Sequence, residues 1–430
     1  MQEPTLYIAV FLSIMTFVVR EKYILLPYIL AACFVPTDQR IIIMGLDFTI
    51  LRILTLVGLL RIWIYGEQIP LKWNTLDKIL LAWAICGSLV YIIQWMNIKA
   101  VINRCGYLFD TLGLYYLFRQ KLRSWDHVRF AGSLLAVSAL LLAPLVALEW
   151  TTGSNPFVIL GRVVTSVREG RYRCQAAFPH AIMLGLFWAT LVPLFAGLAK
   201  TERLKQMYWA AIGASIFIVL STASSTPLAV LLLVMCIMGL FRYRRYARQA
   251  AYCFCAMGVG LHIVMRAPVW HLISRINLIG GSTGWHRYNL INQAVRHFRE
   301  WMLIGCRDTG HWGFGLADVT NQYVLEGVRG GFVTLLLFVL LLITALKAIV
   351  RYSLQTTSAA QQWFTWCICV SLLGHCLSFI GVSYFGQIRM LFFLVLAAAA
   401  LTYEMSTNQF PNYNAADTAA NKNKALYCYG

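Results

Sequence analysis

Apolar residues in this chain come in long unbroken runs, separated by short polar connectors. The runs fall roughly at 5–19, 23–36, 46–64, 76–95, 101–118, 127–148, 178–198, 207–222, 226–241, 247–265, 331–350, 361–382 and 386–403. Continuous runs of this length predict helices in lipid; the strands of a membrane barrel would instead alternate apolar and polar positions. The first two runs are short enough to form a tight hairpin, so the expectation is an all-α polytopic membrane protein with 12 or 13 transmembrane helices. Two long stretches interrupt the pattern, 149–177 and 266–330. In the second, Leu290, Ile291, Ala294, Val295 and Phe298 recur at helical spacing within Tyr288–Trp301. That predicts an amphipathic helix, lying on the membrane or capping a cavity. Gly305–Gly315 reads as a loop, Asp318–Val328 as the start of the next helix, and Gly330 and Gly331 as its junction with the following span. The organisation expected is N-terminal transmembrane helices over 1–148, a membrane region with two large loops over 149–403, and a polar, disordered cytoplasmic tail over 404–430. No internal repeat and no matching pair of broken helices is visible.

Composition agrees with the pattern. The chain is 60% hydrophobic, only 12% charged, and has a mean hydropathy of +0.67, which excludes a soluble globular domain. The formal charge of +19 is concentrated in connectors. Arg119, Lys121, Arg123 and Arg129 form one basic group. Lys200, Arg203 and Lys205 form a second, Arg242, Arg244, Arg245 and Arg248 a third, and Lys347 and Arg351 a fourth. Two runs separate each group from the next, so all four can share the cytoplasmic side. The loops at 149–177, 222–226, 266–330 and 382–386 then face outward. No interleaving of basic and aromatic residues marks a nucleic-acid binder. The twelve cysteines include no CxxC pair. Cys253 and Cys255 read as packing residues, and a disulfide between Cys174 and Cys306 in the outward loops is left open. Leu6–Val19 lacks the basic flank of a cleavable signal.

Charge within the outward loops is what changes this picture. Gly161–Gly185 packs Arg162, Arg168, Arg171 and Arg173 into twelve residues and runs straight into an apolar segment. The second loop carries Arg275, Arg287, Arg296, Arg299, Arg307 and Arg329 against Glu300, Asp308, Asp318 and Glu326. Guanidinium groups bind phosphate oxygens in a two-pronged way. Two such loops at a membrane boundary suit a partner that is apolar and polyanionic together. A lipid-linked pyrophosphate sugar fits, and so does ordinary anionic phospholipid. Arg104 and Asp110 lie in one apolar run; Asp110 is expected to pair with Arg52 or Arg61, and Arg104 to snorkel. Ser221–Pro227 reads as a polar turn between spans.

Three stretches carry a family resemblance. Arg173-Cys-Gln-Ala-Ala-Phe178-Pro-His180-Ala-Ile-Met-Leu-Gly185 is similar to the pattern R-x-x-G-x-F-x-H-P-x-x-x-G, with Ala176 in place of its first Gly and Ala181 in place of the Pro after His. Gly284-Trp-His-Arg287, followed by the amphipathic helix and Leu303-Ile-Gly305, is the second. Asp318-Val-Thr-Asn321-Gln-Tyr323-Val-Leu-Glu326-Gly327-Val-Arg-Gly330 is similar to H-N-x-Y-L-x-x-L-x-E-x-G-x-x-G, with Thr320 where many members have His. The chain resembles the O-antigen ligase and polysaccharide polymerase superfamily of bacterial inner-membrane proteins. That resemblance, which spans about Arg173 to Gly331, implies a GT-C-like membrane glycosyltransferase acting at the periplasmic face. It would move glycan from undecaprenyl pyrophosphate to another glycan or to a lipid A-core acceptor, without a metal or cofactor.

On this reading Arg173, Arg287 and Arg171 bind the pyrophosphate, and Arg287 also stabilises charge in the transition state. Asp318 serves as base in place of the absent histidine, and His180 is a further catalytic candidate. Asn321 and Tyr323 line the site. The structural alternatives are arginines on lipid headgroups, His180 as a buried hydrogen-bonding group, Asp318 as a helix cap, and Asn321 and Tyr323 as packing. Partners would be the lipid-linked donor, the glycan acceptor, membrane lipids and other envelope polysaccharide synthesis proteins, with no nucleic acid. A lipid-linked oligosaccharide flippase or a scaffold are the competing classes; a flippase would place charges along central helices.

Overall fold

The computed structural model describes residues 1–43, 46–161, 163–276, 278–279 and 284–407. Arg162 and nearly all of the polar tail lie outside the described residues. The protein is mostly helical. The first third comprises α1 (Glu3–Val18), α2 (Leu25–Phe34), α3 (Ile50–Ile64), α4 (Thr75–Trp95), α5 (Ile98–Leu108), α6 (Leu114–Lys121) and α7 (Trp125–Thr152). The centre holds α8 (Ala181–Thr201), α9 (Lys205–Ser221), α10 (Ser225–Gly239) and α11 (Ala247–Val264). Then come α12 (Gly284–Arg296), α13 (Phe298–Trp301), α14 (Gln322–Gln355), α15 (Ala359–Gly381) and α16 (Ile388–Ser406). Among the described residues, seven helical segments are long and apolar enough to cross a membrane: α4, α7, α8, the stretch Ser225–Val264, α14, α15 and α16. This is a multi-pass membrane protein.

Helix α8 runs through the middle, with almost every residue from Ala181 to Ala199 buried. It packs against α9, α10 and α15. Its uniformly apolar surface is what a helix surrounded by helices requires. At the periphery, α11 has no buried residue.

The apolar runs are helical with one exception and one irregularity. Leu46–Thr49 was expected to begin a helix; it is β2, paired antiparallel with β1 (Arg40–Ile43), where Arg40 meets Asp47 at 3.0 Å. The run 101–118 is interrupted by a π turn at Phe109–Gly113 between α5 and α6. That turn carries Asp110, whose carboxylate takes Arg52 Nε at 2.7 Å and Nη2 at 2.6 Å. Arg61 instead pairs with Glu67 at 2.8 Å and donates to the Thr16 and Val19 carbonyls.

The bundle has two polar ends. At the basic end, the first of the four basic groups is neutralised within the protein. Arg119 meets Asp77 at 3.0 Å and also Glu404, Lys121 meets Glu21 at 2.9 Å and Glu67 at 2.5 Å, Arg123 meets Glu21 at 2.7 Å, and Arg129 meets Glu202 at 3.6 Å. The opposite end gathers the residues 149–177, 221–226, 284–328 and 380–387. It is stitched by Cys174 N to the Ser221 carbonyl (3.1 Å), Gln387 Nε2 to the Ala177 carbonyl (2.8 Å), and Tyr384 N to Gln322 Oε1 (2.7 Å).

The 284–328 stretch has a small core of its own: Leu290 and Ala294 of α12 pack with Trp301, Trp312, Leu316, Val319 and Val328. Two glycines lock this cap to the bundle. Gly331, at φ 73° and ψ 176°, breaks α14, and a Cβ there would run into the Leu303 carbonyl oxygen. Gly305, at φ 71°, leaves no room for a Cβ against the Val328 carbonyl. The close approach permits Cys306 N to Val328 O and Phe332 N to Met302 O, both 2.8 Å.

Candidate functional site

Arg168 and Arg173 come from a short hairpin, β3 (Ser166–Arg168) with β4 (Arg171–Arg173), turned by Glu169 and Gly170 at φ 50° and 71°. The segment after it is held by one buried acid. Glu149, near the end of α7, is fully buried. It accepts from Gln175 N (3.0 Å), Ala176 N (2.9 Å), Thr165 Oγ1 (2.8 Å) and Asn155 Nδ2 (3.3 Å). Arg173 is thereby fixed: its Nη2 donates to Ser224 Oγ at 2.8 Å, and its buried Nε has no partner among the described residues. Arg287, on α12, donates from Nε to the Gly381 carbonyl at 2.9 Å. Burial and then the Arg168 charge lower its pKa to about 10, and the same two causes lower that of Arg173. The Arg168 charge thus opposes both Arg173 and Arg287, which lie in a partly dry place.

His180 is the N-cap of α8, its Nδ1 accepting from Ile182 N at 3.1 Å. Burial, Arg173 and Arg168 depress its pKa, while Asp318 opposes them. The neutral ring therefore carries its proton on Nε2.

Asp318 lines a cavity of about 370 Å³ with Arg307, Tyr91, Gln94 and Trp95. That cavity shares Arg329, Tyr384 and Phe385 with a second, of about 200 Å³, which reaches inward past Arg104, Glu326 and Arg389 to Trp83 and Phe338. Asp318 thus stands between the cavities and the Arg173–His180 group. None of Arg104, Arg173, Arg287, Arg307, Arg329 and Arg389 forms an ion pair with a described carboxylate.

Several expectations need correction. Asn321 does not line either cavity: its Oδ1 caps α14 on Val324 N (3.0 Å), and its Nδ2 donates to the Ile380 carbonyl (2.8 Å). Tyr323 is likewise turned into the bundle, its hydroxyl donating to the Cys376 carbonyl at 3.0 Å. Gln322, between them, is the residue on the cavity wall. Asn321, not Asp318, is the helix cap. Arg171 is exposed, its Nη1 3.5 Å from the Ile279 carbonyl; Arg168 takes its place beside Arg173. Cys174 and Cys306 are free thiols. Arg104 does not snorkel: it is 7% exposed and lies over the rings of Tyr91 and Tyr107 at 3.6 and 5.1 Å.

The cavity wall of Arg104, Glu326, Arg329 and Arg389 escaped the sequence reading. The available signal was the charge carried into apolar runs by Arg104 and Arg389, together with Glu326 and Arg329 one helical turn apart. Compared with known proteins, the chain matches no protein-family model and no curated sequence.

Proposed function

We propose that the protein is a membrane-embedded glycosyltransferase of the bacterial cytoplasmic membrane. Its basic end faces the cytoplasm and its loop end the periplasm. The donor is a glycan on undecaprenyl pyrophosphate, and the acceptor is another glycan or a lipid A-core sugar. The observation that carries this reading is a group of cations gathered at the loop end and its cavities, Arg104, Arg173, Arg287, Arg307, Arg329 and Arg389, none paired with a described carboxylate although Arg104 and Arg173 are buried. An anionic ligand supplies what the protein withholds, and the membrane setting suits a lipid-linked one.

In the reaction, an acceptor hydroxyl oxygen bonds to the anomeric carbon as the bond from that carbon to the pyrophosphate oxygen breaks. The electron pair leaves with undecaprenyl pyrophosphate. Asp318 takes the hydroxyl proton. Arg173, Arg287 and Arg168 stabilise the charge that grows on the leaving oxygen, and the Nε2–H of His180 is available as a further donor. Positioning of Arg173 is the work of Glu149 and Ser224.

A flippase is the second reading. The observation in its favour is that Arg104, Glu326 and Arg389 carry charge inward between helices. The test is reconstitution in sealed vesicles with lipid-linked glycan and acceptor. Growth or transfer of glycan with release of undecaprenyl pyrophosphate supports the enzyme. Movement of donor across the bilayer without any transfer supports the flippase.

A further inference from the structure

The inner cavity differs chemically from the arginine group around Arg173. Three cations meet there from three different helices: Arg104 of α5, Arg329 of α14 and Arg389 of α16. Arg104 and Arg389 are held by something other than an acid, and Arg329 is exposed at the cavity mouth. Arg104 stacks on Tyr91; Tyr107 has Arg104 and Arg389 each 5.1 Å from its ring centre; Arg389 Nη2 donates to Thr111 Oγ1 at 3.0 Å. Stacking holds a guanidinium by its face and leaves the N–H edges for a ligand. Arg104 is more than nine-tenths buried, and its Nε has no partner among the described residues.

One wall of the same cavity is a carboxylate. Glu326 accepts from Trp83 Nε1 at 2.9 Å and from Gln322 Nε2 at 2.6 Å, within electrostatic reach of Arg329 and Arg104. Asp318 occupies the equivalent role in the adjoining cavity. A pyrophosphate esterified at both ends offers only acceptors, and any phosphate or pyrophosphate would set its negative charge against Glu326. A ligand with one carboxylate and several hydroxyls uses both kinds of wall: its anion meets the guanidinium edges, and its hydroxyls donate to Glu326 and Asp318. Adjoining volumes of about 200 Å³ and 370 Å³, with Arg329 and Tyr384 on a shared wall, suit one or two sugar rings and are too small for a long prenyl chain.

We infer that the cavity walled by Arg104, Arg329, Arg389 and Glu326 binds a carboxylate-bearing sugar, a hexuronate, of the acceptor glycan. The word acceptor rests on the glycosyl-transfer reading; the binding of an acidic sugar does not. The donor pyrophosphate then sits at Arg173 and Arg287, and Asp318 lies between the two ligands where a base is needed.

The test is saturation-transfer NMR on the full chain in nanodiscs, with D-glucuronate, D-glucose and inorganic pyrophosphate as probes. Glucuronate is expected to bind about tenfold more tightly than glucose. Arg104→Gln and Arg389→Gln are each expected to abolish that preference, with monodispersity and melting temperature confirming the fold. Glu326→Gln, which leaves the cations intact, is expected to weaken glucuronate and strengthen pyrophosphate. Pyrophosphate is expected to leave bound glucuronate in place. Equal binding of glucuronate and glucose, no binding of glucuronate, or displacement of glucuronate by pyrophosphate overturns the inference. The assay involves no turnover, so a glucuronate preference in a protein that transfers no glycan would sink the glycosyltransferase reading alone. Transfer without the preference would sink this one alone.

Discussion

Ala176 stands where the resembled pattern has glycine, and the structure shows why glycine suits the position. Its φ is +48°, a left-handed conformation that costs a residue with a Cβ about 1 kcal/mol. Ala176→Gly is therefore expected to raise stability by about 0.5–1 kcal/mol, read as a higher melting temperature in detergent. His180 gives a pH-dependent term. Burial, Arg173 and Arg168 hold its folded pKa below the unfolded value. Its contribution is thus complete above the unfolded pKa, near 6.5, and is lost as pH falls through the lower folded value. His180→Asn keeps a capping side chain without the titration, so its melting temperature should fall less than that of the natural protein between pH 7 and pH 5. Equal slopes would remove His180 as the source. At this scale the sequence was informative where chemistry is local. Arg173, Arg287 and Asp318 could be singled out because cations and acids in outward loops are conspicuous. Asn321 and Tyr323 could not be placed, because whether a polar side chain faces a cavity or a neighbouring carbonyl depends on helices distant in the chain.

The elements were legible where the apolar pattern alone decides them. Helices occupy the apolar runs because lipid leaves the backbone no other partner. The hairpin at Ser166–Arg173 was missed because three-residue strands carry too few alternations to register, and Glu169-Gly170 is a weaker turn signal than Asn-Gly. The π turn at Phe109–Gly113 was missed because a single inserted residue leaves the apolar period nearly unchanged. Gly330 and Gly331 did announce the junction in α14. Gly331→Ala forces a Cβ into a conformation open essentially to glycine alone and against the Leu303 carbonyl. The loss should be about 3 kcal/mol or more, seen as a large drop in melting temperature. Glu149→Gln should cost about 2–3 kcal/mol, since it replaces one of two oxygens that accept backbone N–H groups with an amide NH2 donor. It should also reduce turnover, by releasing the segment that carries Arg173. A variant with unchanged stability would show that Glu149 does not hold this loop.

On the scale of the whole molecule, the buried cations of the loop end set the function. The basic connectors suggested an orientation from sequence, but ion pairing could not be seen there, because Glu21, Glu67, Asp77 and Glu404 reach the Arg119–Arg123 stretch from far along the chain. Sidedness is checked by labelling. In a background lacking native exposed cysteines, Arg171→Cys should react with an impermeant maleimide from the periplasmic side, and Arg203→Cys only after the membrane is opened. The reverse pattern would invert the topology. The central claim is that the cations left without acids at the loop end bind and activate a lipid pyrophosphate. The most direct measurement is release of undecaprenyl pyrophosphate from lipid-linked glycan by the purified protein in nanodiscs, with acceptor present. The natural protein should release it while extending or transferring glycan. Arg173→Ala and Arg287→Ala should each lower kcat by about 10²–10³-fold while remaining folded, and Arg203→Ala at the basic end should not. Donor that binds but is neither extended nor transferred, or release undiminished in both loop-end variants, would contradict the account.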